Sequence, residues 1–213
     1  MLVSELMTSK VITVTRETPI LDALKIMKEH DFRRLPVVDE DGRPVGVVSQ
    51  RSIEELKPHS GVPMLWQAGP WASRHTVGEV MKKKIVSVKP TDTVEYATAK
   101  AQNNKVGTLL VVDDNKIVGV VTTNDIFYKV VNPTLGIGES GTRVLINGGG
   151  EGRNCEKIIS NINDLGVGIK VIWAVKSSDG ARCNLVLHLD TEDAREVVGE
   201  LATAGYEARI MNR

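Results

Sequence analysis

Short β-rich runs and amphipathic helical stretches alternate along the first 131 residues, and the pattern is written twice. Val11–Val14 and Ile85–Val88 read as short strands, each followed by a turn carrying proline. Apolar positions at Ile20, Ala23, Leu24 and Met27, and at Val94, Ala97 and Ala101, then recur at the spacing of one buried helix face. Next, "LPVVDEDGRPVGVVS" and "LLVVDDNKIVGVVT" each read as two strands around an acidic-polar turn, a hairpin signal. A second helix opens near Arg51 and near Asn124.

The two copies also agree in their letters. "VSELM" (Val3–Met7) returns as "VGEVM" (Val77–Met81), 74 residues later, and "KVITV" returns as "KIVSV". "EDGRPVG" then shortens to "DNKIVG", a one-residue deletion at a hairpin tip, where folds tolerate length changes. Last come "GVVSQRSI" (Gly46–Ile53) and "GVVTTNDI" (Gly119–Ile126), now 73 apart, with Asp125 where the first copy has Ser52. One copy of this size buries little apolar surface, so two copies packed sheet against sheet are expected. The organisation is a first repeat at 1–56, an insert at 57–76, a second repeat at 77–131, a linker at 132–141 and a third segment at 142–213. The insert carries three prolines and two tryptophans, Trp66 and Trp71. It reads either as a linker whose aromatics plug the module's edge or as an interaction patch.

The third segment changes pattern. "TRVLIN" reads as a strand and "GGGEGR" as a loop, and Cys155, Ile158, Ile159, Ile162 and Leu165 form one helical stripe. Val167, Ile169, Val171, Trp173 and Val175 alternate, which predicts a strand with one buried face; Cys183, Leu185, Leu187 and Leu189 alternate again. "TEDAREVVGELATAG" predicts a helix capped by Thr191 and ended by Gly205, and "YEARIM" a last strand. The order βαββαβ is the ferredoxin-like arrangement. The fold class is thus α/β (α+β), a packed pair of repeats plus a ferredoxin-like domain.

Charge and chemistry narrow the function. Lysine plus arginine equals aspartate plus glutamate at 27 each, so no global field draws the chain to nucleic acid or anionic lipid. No apolar run has the length of a membrane helix, and "MLVSELMTSK" lacks the form of a secretory signal. Cys155 and Cys183 have no metal-type partners and read as small core residues of a cytoplasmic protein. "GGGEGR" lacks the G-K-[S/T] ending of a phosphate loop. His188 is expected on the strand face opposite the leucines, exposed to solvent. No nucleophile with a base, carboxylate pair or metal cluster is legible, so the chain reads as a non-enzyme.

Strand, helix, hairpin and then G-h-h-[S/T]-x-x-D-h opening a helix resembles the CBS domain, found in tandem pairs whose cleft commonly binds adenine nucleotides. The resemblance covers about residues 1–131. It implies that Asp125 accepts hydrogen bonds from both ribose hydroxyls, as a two-oxygen acceptor can. It further implies that Thr122 and the adjoining helix start face phosphate, that Val86 and Ser87 line the adenine pocket, and that Arg33 and Arg34 meet phosphate. AMP, ADP, ATP, NAD and S-adenosylmethionine are the implied ligands, with one principal site per chain, because Ser52 lacks the second oxygen. T-x-x-D before an apolar helix is also a capping-box pattern, so Asp125 has a structural reading beside the ligand one. The third segment looks like an ACT domain, although the aspartate common between the first strand and helix of that family is absent from Asn147–Gly152. The three-part order resembles bacterial CBS–ACT proteins of the acetoin-utilization type. It implies a regulatory homodimer in which ligand binding alters domain or partner geometry; the rival is a ligand-free dimerisation scaffold.

Overall fold

The computed structural model describes residues 1–55 and 74–211, in two compact units, Met1–Phe127 and Tyr128–Arg213. Trp66, Trp71 and most of the predicted insert lie outside the described residues.

The first unit holds two three-stranded sheets of the same design. In the first, β1 (Val14–Thr15) runs parallel to β2 (Arg34–Val38), which pairs antiparallel with β3 (Pro44–Ser49). In the second, β4 (Ser87–Val88), β5 (Thr108–Asp113) and β6 (Lys116–Thr122) repeat that order. The helices between β1 and β2 (α2, Ile20–Glu29) and between β4 and β5 (α5, Val94–Asn104) bury the stripes seen in sequence, Ile20, Ala23 and Met27 in one and Val94, Ala97 and Ala101 in the other. The leading strands are shorter than expected and begin later: only the end of each β-rich run finds a parallel partner. The hairpin tips differ as the deletion implies. Asp114 and Asn115, both at positive φ, make the tight two-residue turn between β5 and β6. The longer first tip is held by Asp39, whose Oδ1 accepts from the Asp41 and Arg43 amides.

The repeats are joined reciprocally. The short helix α1 (Val3–Leu6) leads the first repeat but docks on the second: the Val3 amide donates to the Asp92 carbonyl oxygen at 2.9 Å, and Thr8 and Val120 exchange backbone bonds. Its counterpart α4 (Val77–Val80) docks on the first repeat, where Val77, Val80 and Met81 join the core around Met27, Leu35 and Ile53, and Lys82 and Val47 exchange backbone bonds. This exchange explains the glycine that opens each G-V-V run. A Cβ on Gly119 would lie 2.5 Å from Met7 Sδ, and one on Gly46 would lie 2.8 Å from Met81 Sδ and 3.0 Å from the Lys82 carbonyl oxygen. Overpacking at such a seam costs about 1–3 kcal/mol. Gly46→Ala and Gly119→Ala are each expected to lower stability by about that amount in urea titration; no change in midpoint would show that the methionines are not the constraint.

The second unit is a four-stranded antiparallel sheet in the order β10-β7-β9-β8, formed by β7 (Thr142–Ile146), β8 (Ile169–Lys176), β9 (Cys183–Leu189) and β10 (Ala208–Met211). With α8 (Asn154–Asp164) after β7 and α9 (Arg195–Thr203) after β9, the chain order is βαββαβ. Val144, Ile146, Leu185, Leu187 and Leu189 pack with Ile158, Ile162, Val197 and Leu201 of the helices. The chain continues past the second repeat as a π-helical turn, Phe127–Val131, and a helix, α7 (Asn132–Leu135), so the start of the supposed linker is helical. Thr191 does not cap α9; its hydroxyl closes a local turn with Asp193, and the helix starts at Arg195. The β8 stripe does not stay on one face. Ile169 pairs with Leu189 and Val171 with His188, so a bulge at Lys170 moves Val171, Trp173 and Val175 to the opposite side of the sheet. His188 is fully buried, not exposed, with its Nε2 3.0 Å from the Ser140 carbonyl oxygen. Cys155 and Cys183 are free thiols and only half-buried. The amides of the glycine-rich loop are spent inside the unit: Gly148 donates to Asn184 Oδ1, Gly149 to Ile146 and Gly150 to Cys183. No amide of Gly148–Gly150 is therefore left to cradle a phosphate.

Candidate functional site

The strand–turn that ends each repeat is built by one local rule. β6 delivers Thr122 in extended conformation, and the chain turns at once into α6 (Thr123–Ile126). Thr122 Oγ accepts the Asp125 amide at 3.2 Å, while Asp125 Oδ2 accepts the Thr122 amide at 2.9 Å and its hydroxyl at 2.6 Å. The reciprocal cap is therefore present, as the T-x-x-D spacing requires. The bonds from Thr122 to the carboxylate both fall on Oδ2. Two amides at the start of the turn are spent inside the fold: that of Asp125 goes to Thr122, and that of Thr123 to the Gly107 carbonyl oxygen at 3.2 Å.

In the first repeat serine occupies the acid's place and is consumed by the fold. Ser52 is 4% exposed. Its hydroxyl donates to the Ser49 carbonyl oxygen at 2.8 Å and accepts the Ser49 amide at 3.0 Å. Ser49 is the N-cap of α3 (Gln50–Glu54), and Ser52 bonds back to it from inside the helix; Ser52 borders neither of the two cavities at Asp125 and Val86.

Asp125 and Thr122 line a cavity of about 370 Å³ together with Arg33, Arg34 and the Thr8–Ile12 region of the first repeat. That volume lies near the lower end of small-molecule pockets, roughly 300–1,000 Å³. The carboxylate of one repeat and the arginines of the other thus share one cavity. Val86 and Ser87 do not join them. Val86, 7% exposed, borders a second cavity of about 660 Å³, beside Ser49, Gln50 and Arg51; Ser87 borders neither cavity. The physical reason is the reciprocal docking. Each repeat's leading segment lies against the other repeat, so the wall facing Asp125 comes from Lys10, Val11 and Ile12, the counterparts of Lys84, Ile85 and Val86. The 74-residue offset contained those equivalents; which copy faces which cavity is a tertiary fact. Arg33, Arg34, Val47, Gly107 and Thr108 border both cavities. Arg34 spans the repeats directly, its Nη1 donating to Thr108 Oγ at 3.2 Å.

With this geometry in place, comparison gives the family. The CBS-domain model matches residues 3–57 and 77–132, just over half of the chain, and the chain belongs to that family. An acetoin utilization protein (AcuB) from Vibrio cholerae, in crystal form, covers 62% of this chain and 91% of its own at 28% identity, with a TM-score of 0.53. CBSX2, crystallised in complex with AMP, covers 62% of this chain and 96% of its own at 26% identity, with a TM-score of 0.51. L-aspartate semialdehyde sulfurtransferase of Methanocaldococcus jannaschii is 26% identical over 126 residues, 59% of this chain but 22% of the enzyme. The chain spans about a quarter of the length of the first curated relatives it matches. Among the described residues no helix is long and apolar enough to cross a membrane.

Proposed function

We propose that the CBS pair is a regulatory module that binds an adenosine-containing ligand in the cavity at Asp125, and that occupancy shifts the geometry of the protein or of a partner. The observation that carries this reading is the meeting of Asp125 and Thr122 with Arg33 and Arg34 in one cavity. A carboxylate accepts from the paired hydroxyls of a ribose, and guanidinium groups bind the phosphate. Val11 and Ile12 give the base an apolar wall. CBSX2, with the same fold, holds AMP, which supports this ligand class. A ligand shifts a conformational equilibrium only by binding one state better than another, so the signal is the difference in cavity shape between states. In this reading the C-terminal βαββαβ unit is an ACT-like domain, the protein is a cytoplasmic homodimer, and its role is regulatory rather than catalytic.

The test is a thermal-unfolding panel with AMP, ADP, ATP, NAD and S-adenosylmethionine. A ligand at 100 times its Kd stabilises by about 2.7 kcal/mol. At least one of the five is expected to do so, with a stoichiometry of one per chain by calorimetry. Two equal sites would contradict the roles given to Asp125 and Ser52.

A second reading rests on the cap itself: Asp125 holds a helix start, and the pair serves as a dimerisation scaffold without ligand. Silence across the whole panel would favour it.

A further inference from the structure

The two cavities of the CBS pair differ sharply in charge. The first is bordered by Lys10, Arg33 and Arg34 against Asp31 and Asp125. The second is bordered by Arg33, Arg34, Arg51, Lys82, Lys84 and Lys105, against the single carboxylate of Glu54. This concentration stands in a chain whose total charge is zero, so it is local and not a consequence of a basic composition. Among the described residues Arg51 pairs with Glu55 at 2.8 Å, whereas Arg33, Lys82, Lys84 and Lys105 have no carboxylate partner. Like charges gathered around one concave volume repel one another, and low-dielectric walls focus their field. An anion that enters removes that repulsion and meets several donors at once.

The second cavity also lacks what a nucleoside needs. Its counterpart of Asp125 is Ser52, buried and bonded to Ser49. The cavity is nevertheless the larger of the two, about 660 Å³. Cations without a sugar clamp fit an extended anion better than a nucleoside. Arg33, Arg34, Gly107 and Thr108 form a common wall with the first cavity.

We propose that the second cavity is a polyphosphate site, binding a chain of two or more phosphates through Lys82, Lys84 and Lys105 with the shared arginines. The chain comes either from the tail of the nucleotide held at Asp125 or from a free polyphosphate. Only the first source rests on the function proposed above. Multidentate contact makes the site discriminate by phosphate number, because each added phosphate meets further cations.

The experiment uses the full chain and inorganic triphosphate as probe, read by calorimetry and thermal unfolding. Wild type is expected to bind triphosphate, and Lys84→Gln/Lys105→Gln to bind it at least tenfold more weakly. Both lysines are exposed, so the exchange leaves the core intact. Sodium sulfate at matched ionic strength should not reproduce the stabilisation; if it does, the effect is general screening and the site is refuted. No triphosphate binding, or binding untouched by the double substitution, also overturns the proposal. The source is read from the series AMP, ADP, ATP. Affinity rising with phosphate number, lost in the double variant, with ATP displacing triphosphate, assigns the tail. Simultaneous binding of ATP and triphosphate assigns a free polyphosphate. The two proposals fail separately. Triphosphate bound while every adenosine ligand is silent sinks the nucleoside reading and leaves this site standing. AMP bound in an Asp125-dependent way, with triphosphate silent and a flat series, does the reverse.

Discussion

Asp125→Ala is expected to weaken adenosine-ligand binding by about 100-fold or more while lowering stability by only about 1 kcal/mol. The two numbers come from different bonds. Hydrogen bonds to a charged group contribute about 1.5–3 kcal/mol each. Losing two of them to ribose hydroxyls exceeds the roughly 2.7 kcal/mol that a hundredfold change in Kd requires. The stability cost is that of a lost cap, about 0.5–2 kcal/mol, because Asp125 Oδ2 bonds the Thr122 amide and hydroxyl at the start of α6. Asp125→Asn separates the roles. An amide oxygen still accepts from Thr122, so stability should return close to wild type. The amide nitrogen only donates and cannot accept the second hydroxyl, so binding should stay weak. Calorimetry and urea titration on the two variants measure both quantities. Wild-type affinity in Asp125→Asn would contradict the clamp and leave Asp125 as a cap.

The largest stability effect is expected in the other unit. Gly141→Ala should destabilise the C-terminal domain by about 3 kcal/mol, from backbone strain and a clash that each cost about 1–3 kcal/mol. Gly141 has φ +116 immediately before β7, and a Cβ there would collide with the Leu189 carbonyl oxygen and lie 3.1 Å from His188 Nε2. Neither neighbour can yield. Leu189 is fixed by its pairing with Thr142, and His188 is buried with its Nε2 against the Ser140 carbonyl oxygen. Hydrogen exchange should show lost protection across Thr142–Ile146 and Cys183–Leu189. Unchanged protection would mean that the turn relaxes without cost.

The legible part of this protein is what repeats or alternates locally. Two copies of one pattern, the helix stripes at Ile20–Met27 and Val94–Ala101, and the βαββαβ order follow from side-chain periodicity. So does the reciprocal cap at Thr122 and Asp125, which needs four consecutive residues and nothing else. The misses all depend on distant partners. The bulge at Lys170 adds no letter that breaks the alternation, yet it reverses the face of Val171, Trp173 and Val175. His188 reads as exposed because its strand alternates polar with apolar, but residues near Gly136, Ser140 and Gly141 lie against it. Val86 borders one cavity, while the equivalent stretch of the first repeat, Lys10–Ile12, borders the other, the one at Asp125. A repeat reveals equivalent positions; it carries no information on which of two equivalent surfaces a side chain will meet.

A crystal structure of the full chain grown with AMP would show the proposed ribose clamp itself. The expected density places the ribose hydroxyls within about 3 Å of the Asp125 carboxylate, the base against Val11 and Ile12, and the phosphate turned toward Arg33 and Arg34. A nucleoside found beside Ser49, Gln50 and Val86, with the cavity at Asp125 filled by solvent, would contradict it.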